Sequence, residues 1–191
     1  MNEIKIASME RQLICAGIHN PLIVNAFTII DREDFVEPKH KVYAYADIEI
    51  PINDLENRFL LRPVLLAKIA EKILALPRNK LLIIGDYLNY TLLVFGRIFS
   101  DCSSISEKNL DTYKKEGFDV VFFDSGFYNE SILNRGQRLM SAKGMMIFLS
   151  RKNPTRFSIP KNLYGWTNSK DERNGVNIET CFRNVFPLEN C

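Results

Sequence analysis

Residues 81–99 read LLIIGDYLNYTLLVFGRIF, and this stretch constrains the fold more than any other. Lys80 to Ile84 is almost wholly apolar and carries two isoleucines, the composition of a strand buried on both faces. Gly85 ends the run. Leu92, Leu93, Phe95 and Ile98 then recur at helical spacing, with Tyr90 and Val94 beside them. Strand, tight turn and helix open a nucleotide-binding α/β unit. In such units glycines let the backbone approach a ligand that the helix N-terminus faces. Only the first glycine is present here; Asp86, Tyr87 and Asn89 stand where small residues are usual.

The pattern recurs downstream. Cys102 to Ser106 reads as a short strand ending at Glu107, and 109–116 as a solvated helix. FDVVFF, Phe118 to Phe123, is a second strongly buried strand with Asp124 and Ser125 at its end. Ile132, Leu133, Leu139 and Met140 mark a helix, and Gly144 turns into a strand from Met145 to Leu149. Residues 151–174 read as loop, with Pro154, Pro160, Gly165 and the single Trp166. Val176, Ile178, Thr180 and Phe182 alternate as in a half-buried strand of a C-terminal hairpin.

Upstream, the chain is mainly helical. Ile4, Met9, Leu13 and Ile14 predict a helix stopped by Gly17. Asn20-Pro21 is an N-cap and first helical proline ahead of Leu22, Ile23, Ala26, Phe27 and Ile30. Asp31 caps a turn leading to Phe35, Asp47 to Pro51 is extended, and 53–57 is loop. Pro63 opens a helix bearing Leu65, Leu66, Ile69 and Ile73, which Pro77 ends. We read the whole as an α/β fold in one domain, 1–191. A helical region, 1–76, precedes a core, 77–191, with a mostly parallel sheet and helices on both faces. Gly85-Asp86, Glu107 and Asp124-Ser125 then share the C-terminal edge of the sheet, where such folds bind ligands. The helical region is expected over this edge or beside it.

Composition narrows the function classes. With 25 Lys+Arg against 23 Asp+Glu, the net charge is +2, and no basic stripe with interleaved aromatics suggests nucleic acid. Lys114-Lys115 and the Arg151, Lys152, Arg156 group read as solvated surface. The N-terminus, MNEIKIASMERQ, has charges where a signal peptide carries its apolar core, and no apolar run suits a membrane helix. Cys15, Cys102, Cys181 and Cys191 form no CxxC pair, and His19 and His40 stand apart. A reducing cytoplasm without a zinc site or disulfide framework is the expectation.

The N-terminal stretch MERQLICAGIHNPLIVNAFTIIDREDFVEP, followed by YAYADIEIPI, resembles the corresponding region of protein-L-isoaspartate O-methyltransferases. Their pattern is M-x-x-Q-L, then R-x-x-F-V-P, then A-Y-x-D-x-x-x-P. Arg32, Phe35, Val36, Ala44, Tyr45, Asp47 and Pro51 match it. Leu61-Arg62-Pro63 is similar to the segment leading into the first strand, LLIIGDYLNYT to the cofactor motif, FDVVFFD to the fourth strand and CFRNVFPL to the closing segment.

This resemblance implies a Rossmann-like domain with S-adenosylmethionine as cofactor. It also implies methyl transfer to isoaspartyl carboxylates of a damaged protein or peptide. A carboxylate is already nucleophilic at neutral pH, so catalysis would consist largely of positioning. The residues implied at the cofactor are Gly85, Asp86, Tyr87, Asn89, Tyr90, Glu107, Asp124 and Ser125. Glu107 takes the place of the ribose-binding acid. The chain also departs from the pattern. Ile83 replaces the strand acid, Tyr87 and Asn89 replace two glycines, and Leu61 replaces a serine near the reacting carboxylate. Leu61 cannot donate that serine's hydrogen bond. The stretch from Glu107 to Phe118 is too short for the family's third strand and adenine-covering loop. S-adenosylmethionine is therefore expected to bind weakly or not at all.

Several roles stay open on sequence alone. Gly85 touches a ligand or merely turns the chain. Asp86 binds a ligand hydroxyl or is an exposed helix cap. Glu107 is a ribose ligand or surface charge, and Asp124 lines the cleft or, the preferred reading, caps the next turn. Tyr87 fills vacated cofactor space or points to solvent. Two functions follow: a divergent methyltransferase, or a non-catalytic relative acting as a binding or scaffold module.

Overall fold

A computed structural model describes residues 3–52, 55, 58–76, 80–150, 162–170 and 177–182, the last two segments as backbone only. Helix α1 (Glu3–Cys15) buries Met9 and Leu13. Helix α2 (Pro21–Ile29) starts as its sequence dictates: the Asn20 side chain accepts a hydrogen bond from the Leu22 amide at 3.0 Å. The Asp31 carboxylate caps a 3-10 turn, Arg32–Phe35, in the same way. A second 3-10 turn, Pro38–Tyr43, follows. Strands β1 (Ile50–Pro51) and β2 (Phe59–Leu60) then pair antiparallel.

Helix α3 (Pro63–Leu74) has no cap from its own N-cap residue, Arg62. Asp47, remote in sequence, supplies it by accepting from the Val64 amide at 2.9 Å. Asp47 also lies 3.6 Å from the Arg62 guanidinium. Helix α3 ends at Leu74; Pro77 lies outside the described residues, as do Pro154, Pro160, Val176 and positions 183–191.

The main sheet contains β3 (Leu81–Ile84), β4 (Cys102–Ile105), β5 (Phe118–Phe127), β6 (Met140–Ser150), β7 (Asn162–Lys170) and β8 (Asn177–Phe182). Their order is β4-β3-β5-β6-β7-β8. The pairs β3/β4, β3/β5 and β5/β6 are parallel; β7 and β8 add an antiparallel hairpin. The two strongest apolar runs lie side by side, Leu81 opposite Val120 and Ile84 opposite Phe123. Alternation along them divides the core. Leu81, Ile83, Val120 and Phe122 face α1, α2, α3 and α4 (Tyr90–Gly96). Leu82, Ile84, Val121 and Phe123 face the 105–113 segment and α5 (Glu130–Gln137). Helices thus cover both faces of a mostly parallel sheet. The N-terminal helices pack on one face, and Arg58, next to β2, bridges to Gly126 near the C-terminal edge of β5.

Three sequence expectations are corrected. Residues 109–116 form no helix; a 3-10 turn, Glu107–Asn109, capped by Ser106, leads into irregular chain. The chain must return from the end of β4 to the start of β5. Extended backbone covers that distance at about 3.3 Å per residue, against about 1.5 Å in a helix. Leu139 and Met140 belong to the entry of β6 rather than to α5, with the Leu139 carbonyl bonded to the Phe118 amide. Residues 162–170 are strand β7, held by backbone pairing to β6 that side-chain pattern does not report.

Candidate functional site

The chain leaves β3 outward to β4 and returns past it to β5, so the topological switch point lies between β3 and β5. Parallel α/β sheets bind ligands in the crevice beyond the strand ends at such a point. Gly85, Asp86, Asp124 and Ser125 meet there, and Glu107 follows β4 on the same edge. Sequence and fold agree on the location. The contents are different from those of an open crevice.

Gly85 has φ +83°, and a Cβ at this position would run into the Tyr128 hydroxyl. Tyr128 follows β5, and its O–H donates to the Asp124 carbonyl at 2.6 Å. The phenol lies over the glycine where a ligand would approach. Burial holds its pKa well above the ordinary tyrosine range. Arg58 covers Tyr128 in turn, with its guanidinium carbon 4.5 Å from the ring centroid and 5.8 Å from that of Tyr87. Arg58 also donates to the Tyr87 hydroxyl at 3.2 Å and to the Glu107 carboxylate at 2.9 Å. Glu107 is therefore an ion-pair partner of Arg58, and Tyr87 fills part of the crevice rather than pointing freely to solvent. The β1–β2 hairpin places Arg58: its carbonyl accepts from Ile52, and its backbone bridges to Gly126.

Asp86 corrects one expectation. It is not an exposed cap but a buried one, 8% exposed, accepting from the Leu92 amide at 2.7 Å. The amides of Leu88, Asn89 and Thr91 also turn toward it. Its carboxylate takes the place an anionic ligand would occupy at the start of α4. Asn89 holds the left-handed conformation, φ 59°, in place of a glycine, while Tyr87 has no positive φ. Asn tolerates that region and Tyr does not, so the turn takes positive φ at Gly85 and Asn89 and not at Tyr87.

Asp124 corrects another. It caps nothing: Asn129 caps α5, accepting from Ile132 at 3.0 Å. Asp124 is fully buried, and neither carboxylate oxygen has a hydrogen-bond partner. The Thr91 hydroxyl and the Ser125 amide face it without reaching hydrogen-bonding geometry. Ser125 is itself in the left-handed region at φ 61°, a strained position beside the crevice. Tyr90 is fully buried against Phe35, ring centroids 5.2 Å apart, and under the Arg32 guanidinium at 5.2 Å. Arg32, also fully buried, donates to the Leu61 carbonyl at 2.8 Å. Leu61 is 1% exposed, so the position of the family serine presents no side chain to a substrate.

Residues 5–112 match the family model for protein-L-isoaspartate(D-aspartate) O-methyltransferase, over half of the chain. The chain belongs to that family. Among curated relatives, the protein-L-isoaspartate O-methyltransferase of Syntrophotalea carbinolica is 32% identical over 92 residues, 48% of this chain and 42% of the relative. Protein-L-isoaspartate O-methyltransferase 1 of Geotalea uraniireducens is 30% identical over 92 residues, 48% of this chain and 41% of the relative. These matches span less than half the length of either relative. A solved protein-L-isoaspartate O-methyltransferase structure superposes with a TM-score of 0.59 at 17% identity, covering 95% of this chain and 64% of that one. It shares the fold.

The family's cofactor is S-adenosylmethionine, and the crevice does not fit it. Tyr128 lies on the glycine, Arg58 holds the ribose-type acid, Asp86 takes the helix amides, and Ile83 is apolar and fully buried. Sequence reading missed Arg58 and Tyr128. Arg58 sits in a polar loop without local pattern. Tyr128 carried one faint signal, an aromatic residue directly before the Asn129 cap. Among the described residues no group of three or more His, Cys, Asp or Glu is placed to hold a metal, and no helix is long and apolar enough to cross a membrane.

Proposed function

We propose that this isoaspartyl-methyltransferase relative has exchanged its cofactor for its own side chains and works as a binding or scaffold module for a protein or peptide. Isoaspartyl methyl transfer is then impaired. The observation that carries this reading is the Arg58–Tyr128 pair over Gly85, with Glu107 tied to the same guanidinium. Asp86 supplies the carboxylate and Arg58 the cation that the amino-acid end and the sulfonium of the cofactor would bring. Both are attached to the chain, so they occupy the crevice at very high effective concentration. A free ligand must displace them, breaking an ion pair, two ring contacts and buried hydrogen bonds. A penalty of about 4 kcal/mol moves a micromolar site to millimolar.

Calorimetric titration with S-adenosylmethionine tests the reading: no saturable binding below about 1 mM is expected. Micromolar binding would overturn it. The catalytic arm is methanol release from an isoaspartyl peptide incubated with labelled cofactor, where no turnover above background is expected. Loss of a preorganised donor of the kind Leu61 lacks costs on the order of a hundredfold in rate. The methyltransferase reading rests on family membership and on Tyr90, Thr91 and Glu107, which keep their places after β3 and β4. Turnover comparable with that of an intact family member would establish it instead.

A further inference from the structure

Asp86 lies two residues beyond β3 and Asp124 one residue beyond the last β3–β5 pair, Ile84 opposite Phe123, and both lie inside the closed crevice, 8% and 0% exposed. Three of their four carboxylate oxygens, Asp86 Oδ1 and both of Asp124, have no hydrogen-bond partner. Two ionised carboxylates in this environment would be both desolvated and mutually repelling. One cation is close. Arg32 is fully buried, acts electrostatically on Asp47, which also faces the Arg62 guanidinium, and on Asp124, and spends its terminal nitrogens on the Leu61 and Ile48 carbonyls. One buried cation balances one carboxylate, leaving the second to be neutralised by a proton. The remaining titratable groups facing the pair are the Tyr128 and Cys102 side chains, with Tyr90 against Arg32 and with Arg58 and Glu107 beyond Tyr128. Burial keeps both phenols and the thiol protonated, so none adds a charge.

We propose that Asp86 and Asp124 share a single proton at neutral pH, making the closed crevice a proton-linked state of the protein. Burial raises both carboxyls above the ordinary aspartate value of 3.8, and the Asp86 charge raises Asp124 further. The sign follows. From the ordinary aspartate range upward, the folded chain keeps a proton that the unfolded chain has released. This pair's contribution to stability therefore falls as pH rises through the folded values and is constant above them. Paired carboxylates do the opposite.

Carbon-detected NMR of the aspartate side chains tests this in the full chain. One carboxyl titration is expected at least about two units above the ordinary value, assigned to the pair by its change in both Asp86→Asn and Asp124→Asn. Urea unfolding supplies the second readout. The wild type should lose midpoint concentration between about pH 5 and pH 8 relative to the double variant Asp86→Asn, Asp124→Asn, a comparison that removes the pair and cancels titrating groups remote from it. If the variant does not fold, the wild-type titration decides alone. Both carboxyls titrating below about pH 5 would overturn the proposal, as would a wild-type midpoint that rises relative to the variant.

Discussion

Replacing Gly85 with alanine probes directly what lies on the crevice floor. Three terms set the cost. At φ +83° an alanine is strained by about 1–2 kcal/mol. Reduced freedom of the unfolded chain offsets about 0.5–1 kcal/mol of that. The new methyl also meets the Tyr128 hydroxyl, which must leave, breaking its 2.6 Å bond to the Asp124 carbonyl. A lost hydrogen bond with a buried acceptor left behind costs about 1–3 kcal/mol. The sum is about 2–4 kcal/mol, mostly from Tyr128. In a Tyr128→Phe background the hydroxyl is already gone and the nearest ring carbon would stand 3.1 Å from the methyl. There the same change should cost only about 1 kcal/mol. Urea unfolding of the four proteins closes a double-mutant cycle with an expected coupling of about 1–3 kcal/mol, the double variant losing less than the sum. An alanine penalty equal in both backgrounds would refute the idea that Tyr128 seals the glycine.

Restoring the family's strand acid should fail. Ile83→Asp places a carboxylate on a fully buried strand without a partner and should cost more than about 3 kcal/mol in urea unfolding, with Ile83→Val near 1 kcal/mol as the control. A loss below 1 kcal/mol would mean that a polar cavity exists behind β3. Asn20→Ala should cost about 1 kcal/mol by the same assay, because the Leu22 amide loses its acceptor. An unchanged midpoint would show that water replaces the cap without penalty.

Local chemistry was legible from the sequence. Asn20-Pro21, Asp31 and Pro63 announce helix starts through backbone rules that act over a few residues, and each starts a helix or turn as read. Leu81–Ile84 and, apart from Asp119, Phe118–Phe123 are apolar without alternation, as strands buried on both faces are, and they pair side by side in the sheet. The same runs fixed the edge on which Gly85, Glu107 and Asp124 would meet. What fills that edge was decided by tertiary structure. Asp47 caps a helix sixteen residues downstream, and Arg58 reaches Glu107 across 49 positions of sequence. Neither separation has any periodicity to betray it. On sequence alone Asp86 reads as a ligand contact or an exposed cap, and Asp124 as a cleft residue or a turn cap, because carboxylates are mostly exposed. Burial by Tyr128, Arg58 and the N-terminal helices changed them into a desolvated pair. Burial depends on the three-dimensional path of the whole chain, and charge and hydrogen-bonding character take their meaning from it.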